Sequence, residues 1–115
     1  MIKLKRVYET PSRTDGFRVL VDRLWPRGLT KERAAVKLWL KDVAPSTELR
    51  KWFGHDPDRW QQFQVRYRKE LREKKDSLKM LQEKSQERTV TLVYGAKDEQ
   101  HNEAQVLKRV LERRK

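Results

Sequence analysis

The stretch Thr89-Val90-Thr91-Leu92-Val93-Tyr94 is the clearest strand signal in the chain and decides the fold class. β-Branched and aromatic residues dominate it, and such side chains favour strands. A second apolar run, Val19-Leu20-Val21, lies within residues 17–25 and shows no polar alternation. An unbroken run of this kind is typical of a strand covered on both faces, as in a parallel sheet. We therefore predict a sheet with these two strands inside it.

Helical and strand patterns alternate around these two runs. Residues 1–8 begin with an apolar–polar alternation that predicts a strand, and residues 36–43 predict another. Helix starts are indicated by capping residues and by proline at Thr30, Ser46 and Asp56, at Asp76 or Ser77, and at Asp98. The expected fold class is α/β: a single domain over residues 1–115, with a small, mostly parallel sheet of about four strands and helices packed on it.

The link between the first two strands, residues 9–17, leaves their pairing open. A parallel crossover through a helix normally needs about a dozen residues. The two strands therefore form either an antiparallel pair or an unusually tight crossover.

Composition limits the possible chemistry. The 115 residues are the length of one domain and include ten aromatic side chains but no cysteine, so disulfides, thiolate metal sites and a cysteine nucleophile are excluded. Two distant histidines and four isolated glycines predict no metal site and no nucleotide-cofactor motif. The sequence predicts no signal peptide and no membrane span, and we expect a cytoplasmic protein.

The chain is strongly basic, with 29 Lys and Arg against 17 Asp and Glu and a net charge of +12. Such a charge attracts polyanions. Much of the excess lies in residues 66–75 and 108–115, which also carry Glu and are interpreted first as solvated helix faces. The alternative is a non-catalytic nucleic-acid-binding protein that uses basic helical faces, with Arg66, Arg68, Arg113 and Arg114. A third hypothesis is a module that docks on an acidic protein.

The loop over residues 22–28 follows the second predicted strand and is the first candidate site. Ligands of open α/β sheets bind outside the carboxyl ends of the strands. Arg23 and Arg27 can hold a carboxylate or phosphate, and Trp25 can stack on a flat ligand. The structural alternative is that Asp22 and Arg23 pair with each other or with a helix while Trp25 is core.

The loop over residues 94–103 follows the last predicted strand and opens a helix. Tyr94 is predicted to form a second wall, His101 to donate or accept a proton, and Asn102 to contact the ligand. The structural alternative for His101 is a hydrogen-bonded histidine at a helix start. In a third loop, His55 either pairs with Asp56 or lines a pocket, and capping alone also explains Asp56.

Long motifs in these loops resemble the YeaO-like branch of the domain of unknown function 488 family. The residues that carry the resemblance are Val21-Asp22-Arg23-Leu24-Trp25-Pro26-Arg27-Gly28-Leu29, Leu38-Trp39-Leu40-Lys41, residues 44–50, Trp52-Phe53-Gly54-His55-Asp56-Pro57 and residues 94–102. The resemblance implies an α/β fold with a largely parallel sheet and does not imply an activity.

This sequence resembles the wider family in the motif of the loop over residues 22–28 and differs from it in the motif of the loop over residues 94–103. Asp22, Pro26 and Arg27 match the family's motif after one strand. Tyr94 stands where the wider family has a cysteine, and Asn102-Glu103-Ala104 stands where it has Cys-His-Arg. The pocket position is therefore expected to be shared while its chemistry differs. We predict a site for a small anionic or nucleotide-type ligand at the strand ends, and the sequence assigns no reaction to it.

Overall fold

The computed structural model describes residues 1–113 and has an all-parallel sheet. Arg114 and Lys115, which belong to the second basic stretch, lie outside the described residues. The strands are β1 (Ile2–Arg6), β2 (Phe17–Leu20), β3 (Leu38–Trp39) and β4 (Val90–Tyr94), in the spatial order β1-β4-β2-β3. The predicted α/β class and largely parallel sheet are confirmed.

The first two strands do not pair with each other, because β4 lies between them. Val90 aligns with Ile2 of β1 on one side and with Phe17 of β2 on the other. The antiparallel alternative is therefore wrong. All five residues of β4 are buried, so the most apolar strand takes a central place where both of its edges are bonded. The connection over residues 7–16 contains only a 3-10 turn, Arg13–Asp15.

Helices cover the sheet and begin close to the predicted capping residues. They are α1 (Lys31–Ala34), α2 (Thr47–Phe53), α3 (Trp60–Leu71), α4 (Lys75–Glu87) and α5 (Glu103–Arg113). Thr30 accepts the N–H of Arg33, and Ser46 accepts the N–H of Leu49, as N-cap side chains do. None of the helices within residues 1–113 is long and apolar enough to cross a membrane.

Two expected boundaries are wrong. The strand predicted over residues 36–43 contains only Leu38 and Trp39, because β2 ends at Leu20 and offers no further partner. A 3-10 turn, Lys41–Val43, follows instead. Asp98 caps a turn before α5 rather than α5 itself. The side chain of Asn102 caps α5, since its Oδ1 accepts the N–H of Gln105 at 3.1 Å.

The core lies on both faces of the sheet. Side chains from α2, α3, α4 and α5 form the larger cluster with one face of the strands. A smaller cluster on the other face contains Val7, Leu20, Ala34 and Val93, with Trp25 and Trp39 packed against it. Because the strands are parallel, their carboxyl ends meet at one edge, and the loops that follow them lie side by side.

Candidate functional site

A cavity of about 260 Å³ lies at the carboxyl ends of the strands. Its floor contains Asp22, Gly95, Asn102 and Glu103, and its walls contain Trp25, Pro26, Pro45, Phe53 and Phe63. Five residues line it and are also exposed to solvent, and we call them the rim: Tyr8, Leu24, Arg27, Arg50 and His55. Drug-sized ligands occupy cavities of roughly 300 to 1,000 Å³, so this one suits a smaller molecule or a single group.

The sequence-predicted residues converge on this cavity with one exception. The following line it: Asp22, Arg23, Trp25, Arg27, His55, His101 and Asn102. Tyr94 does not, since it is the last residue of β4 and its side chain is 3% exposed within the larger core cluster. The two loops after β2 and β4 therefore face one shared space, as neighbouring parallel strands require.

Two carboxyl groups meet on the floor. Asp22 is fixed by the N–H of Gly95, which donates to its Oδ2 at 2.8 Å. Glu103 is hydrogen-bonded to Asp22. Burial, then the negative charge of Asp22 and this hydrogen bond, raise the pKa of Glu103 well above its usual range. Glu103 therefore holds its proton to a higher pH than an ordinary glutamate does.

Arg23 and Arg27 differ in what holds them. Arg23 donates from Nε to the carbonyl of Pro45 at 2.9 Å and from a terminal nitrogen to the carbonyl of Ala44 at 3.2 Å. It therefore fixes the loop after β2 to the segment before α2, rather than pairing with Asp22. Within residues 1–113 no group bonds the guanidinium of Arg27 or that of Arg50.

Arg50 and Glu103 were missed by sequence reasoning. Each stands on the first or second turn of a charged helix, where it resembles an ordinary solvated residue. The only sequence signal for Arg50 is its place in the motif over residues 44–50.

Trp25 belongs both to the smaller core cluster and to the cavity. Its ring meets that of Trp39 edge to face, with 5.4 Å between centroids, and its Nε1 donates to the carbonyl of Leu29 at 2.7 Å. Trp39 in turn donates from Nε1 to the carbonyl of Asp22 at 2.8 Å. The wall is therefore rigid before any ligand arrives.

His101 is oriented by Asp98. Its Nδ1 lies 2.9 Å from Oδ2 of Asp98, whose Oδ1 accepts the N–H groups of Gln100 and His101. The bond from His101 and these backbone bonds hold the pKa of Asp98 below its usual range. The ionised carboxylate can only accept, so Nδ1 of His101 carries the hydrogen of this bond. The ring also meets Trp60 edge to face at 5.2 Å.

His55 and Asp56 are not bonded to each other among the described residues. Asp56 accepts the N–H of Asp58 at 3.0 Å, which is the capping role. His55 has φ +58, a left-handed conformation that histidine adopts more readily than most residues, and its exposed ring lies at the rim. Among residues 1–113 there is no group of three or more His, Asp or Glu that could hold a metal ion.

Comparisons with known proteins place the chain in a family. All 115 residues match the family described as "Inactive DUF488-N3 subclade". The chain is 42% identical to the "uncharacterized protein YeaO" of Escherichia coli, over 92% of each chain. It is 51% identical over 70 residues to uncharacterized proteins of Mycobacterium tuberculosis and Mycobacterium bovis. That match spans 61% of this chain and 59% of the length of each mycobacterial relative. No solved structure matches the chain. The chain therefore belongs to the DUF488 family, in the branch described as its inactive N3 subclade.

Proposed function

We propose that the cavity binds a small organic anion with a flat group, such as a nucleotide, and holds it without chemical change. The observation that carries this proposal is that Arg27 and Arg50, two guanidinium groups with no partner among the described residues, stand at the rim of an aromatic-walled cavity. A planar guanidinium binds a carboxylate or phosphate through two parallel hydrogen bonds.

The walls and floor complement the flat part of such a ligand. Trp25 is half-buried and offers aromatic surface for stacking, whereas Phe53 and Phe63 are buried core residues, stacked on each other at 4.4 Å, that add apolar wall. The carboxyl pair on the floor offers acceptors for the ring N–H or amino groups of the ligand, and Nε2 of His101 offers a further hydrogen-bonding group. Because the raised pKa of Glu103 favours its neutral form, the floor repels an anion less than two carboxylates would.

Binding rather than turnover is supported by the family and by the residue types. The matching family is described as inactive, and the chain has no cysteine. The hydroxyl of Ser46 donates to Glu70 at 2.6 Å and caps α2, and Ser46 does not line the cavity, so it is not placed to attack a ligand there. We therefore assign His101, the predicted proton donor, to hydrogen bonding with the ligand.

The basic helical faces are the weaker alternative. Arg66 is exposed but lies over the ring of Trp52 at 4.1 Å, and Arg68 is half-buried, so two of the four arginines of that hypothesis pack against the protein's own side chains. Arg27 and Arg50 have no such engagement. The favoured anion site is therefore the cavity.

The test is a titration with inorganic phosphate, acetate and uridine monophosphate at low ionic strength, followed by NMR. The amide of Gly95 reports the floor, and the Nε–H signals of Arg27 and Arg50 report the rim. We expect the mononucleotide to shift all three. Substituting both arginines (R27Q, R50Q) should weaken binding at least tenfold, since a charge-assisted hydrogen bond contributes about 1.5–3 kcal/mol.

The matched control removes two positive charges elsewhere, at Lys79 and Arg88 (K79Q, R88Q). Both are exposed and do not line the cavity, and Arg88 precedes β4 at the opposite end of the sheet. This control should bind as the parent protein does. An equal loss in both variants, or no shift with any probe at millimolar concentration, would contradict the proposal.

A further inference from the structure

The rim carries exposed apolar side chains as well as arginines. The large hydrophobic residues that are exposed within residues 1–113 are Met1, Tyr8, Leu24 and Val65. Leu24 is 59% exposed and Tyr8 is 42% exposed, and both belong to the rim. A small ligand seated inside the cavity leaves these outward surfaces uncovered. A larger partner that crosses the rim would cover them.

We propose that the rim is the docking surface for single-stranded nucleic acid, with one nucleotide of the strand seated in the cavity. This inference rests on the proposed function and names the partner of the same site. The two arginines would pair with phosphates on either side of the seated nucleotide, while Leu24 and Tyr8 would pack against neighbouring bases.

The rim is organised before binding. The hydroxyl of Tyr8 donates to the carbonyl of Arg27 at 2.9 Å, which joins the loop after β1 to the loop after β2. Arg6 lies 5.2 Å from the ring centroid of Tyr8 and donates from Nε to the carbonyl of Ala96 at 2.9 Å. Three strand-end loops are thus tied together around the cavity, so little ordering of side chains is needed when a partner binds.

Charge and surface type favour nucleic acid over an acidic protein. Single-stranded nucleic acids bind where cationic groups track phosphates and apolar or aromatic side chains stack on bases. The rim supplies both, on a chain of net charge +12. A purely acidic polypeptide such as polyglutamate would satisfy the arginines but has no aromatic ring to place in a cavity walled by Trp25, Phe53 and Phe63.

The experiment measures fluorescence anisotropy of the full chain with labelled oligothymidylate and oligouridylate of about eight nucleotides, within the roughly 4–16 nucleotides of known single-strand sites. Polyglutamate is the competitor that represents acidic proteins. We expect both oligonucleotides to bind, and unlabelled uridine monophosphate to displace them, whereas polyglutamate of equal charge should displace them at least tenfold less well.

Two pairs of variants distinguish this proposal from non-specific electrostatic attraction between the basic protein and a polyanion. Substituting Leu24 (L24S) should weaken oligonucleotide binding about fivefold more than it weakens mononucleotide binding, whereas V65S, at a site 55% exposed on α3, should change neither. The R27Q, R50Q variant should lower the slope of log affinity against log salt by about 1.4, at about 0.7 per phosphate contact. The K79Q, R88Q control should lower it much less.

Any other result contradicts either the nucleic-acid partner or the anion site in the cavity. If the mononucleotide binds and oligonucleotides bind no more tightly than it does, the proposed function stands and the docking surface is overturned. Equal effects of L24S and V65S, or equal displacement by polyglutamate, overturn it as well. Failure of the mononucleotide to bind at all removes the proposed function and, with it, this inference.

Discussion

Two carboxyl groups share the floor of the cavity because Asp22 follows β2, while Glu103 opens the helix that follows β4. The parallel sheet places these strand ends side by side, so side chains 81 positions apart in numbering become neighbours. Two adjacent carboxylates repel each other strongly in a partly buried site, and retention of one proton removes that repulsion. The pair is therefore more stable when Glu103 is protonated than when both groups are ionised.

The raised pKa of Glu103 predicts how the free energy of unfolding depends on pH. The folded protein binds the Glu103 proton more tightly than the unfolded chain does, because its pKa is raised. The free energy of unfolding should therefore fall as pH rises from about 4.3 toward the raised pKa, by at most about 1.4 kcal/mol per pH unit. Urea denaturation at several values between pH 5 and pH 8 measures this slope.

The matched variant replaces Glu103 by glutamine (E103Q), whose amide N–H donates to Asp22 at every pH. Its stability should show a flatter dependence on pH than that of the parent protein. The carboxylates with lowered pKa, Asp15, Asp42 and Asp98, lose their stabilising effect only in more acidic solution. Parallel pH profiles for the parent and E103Q would show that the pair does not share a proton.

At the scale of elements, the sheet depends on a close backbone approach where β2 begins. Gly16 has φ +63, and a Cβ atom there would lie 2.3 Å from the carbonyl oxygen of Thr89, just before β4. The N–H of Phe17 donates to that same carbonyl at 2.9 Å. Only glycine lets the short connection from β1 enter the sheet on the far side of β4.

Substituting Gly16 by alanine (G16A) should lower the free energy of unfolding by at least about 3 kcal/mol. Left-handed strain contributes about 1–3 kcal/mol, and the contact with Thr89 adds to it, since the Cβ is held rigidly by the backbone and the atom that it meets is a backbone carbonyl oxygen. Thermal or urea denaturation measures the loss.

Gly28 offers the control, because its φ is +80 and a Cβ atom there would meet nothing within 4 Å. G28A should therefore lower the free energy of unfolding only by the strain of the left-handed conformation, about 1–2 kcal/mol. Equal losses in the two variants would mean that the approach to Thr89 does not limit the fold.

At the scale of the whole molecule, the excess positive charges repel one another over short distances, because the molecule is small. The described residues extend 36 × 35 × 20 Å, and the chain carries a net charge of +12. The Debye length is about 30 Å at 0.01 M salt and about 10 Å at 0.1 M. At low salt, charges on opposite sides therefore repel one another, and at higher salt only neighbours do.

The Tm should accordingly rise when sodium chloride is raised from about 0.01 M to about 0.1 M, as measured by calorimetry. A gain of about 1 kcal/mol corresponds to an increase of about 4 °C or more. The K79Q, R88Q variant has two positive charges fewer and should gain less. A Tm that falls with added salt would show that attractive ion pairs outweigh the net repulsion.

Structural features that are set by neighbouring residues in the sequence could be predicted, and features that depend on a distant strand or side chain could not. The capping role of Ser46 follows from its own side chain and the next few residues, so the start of α2 was predicted correctly. The length of β3 depends on where β2 stops, and the residues of β3 do not encode that. The place of β4 between β1 and β2 likewise depends on which edges remain to be paired.

The sequence by itself determined the α/β class, the apolar central strand and the two loops that carry polar groups, because periodicity, capping and turn chemistry act within a few residues. Only the tertiary structure decided that Arg23 would bind carbonyls while Arg27 and Arg50 stay without partners among the described residues. It also decided that Asp22 would meet Glu103. The physical reason is that a side chain's hydrogen-bond partner and its charge state depend on groups distant along the chain, which come together only when the sheet assembles.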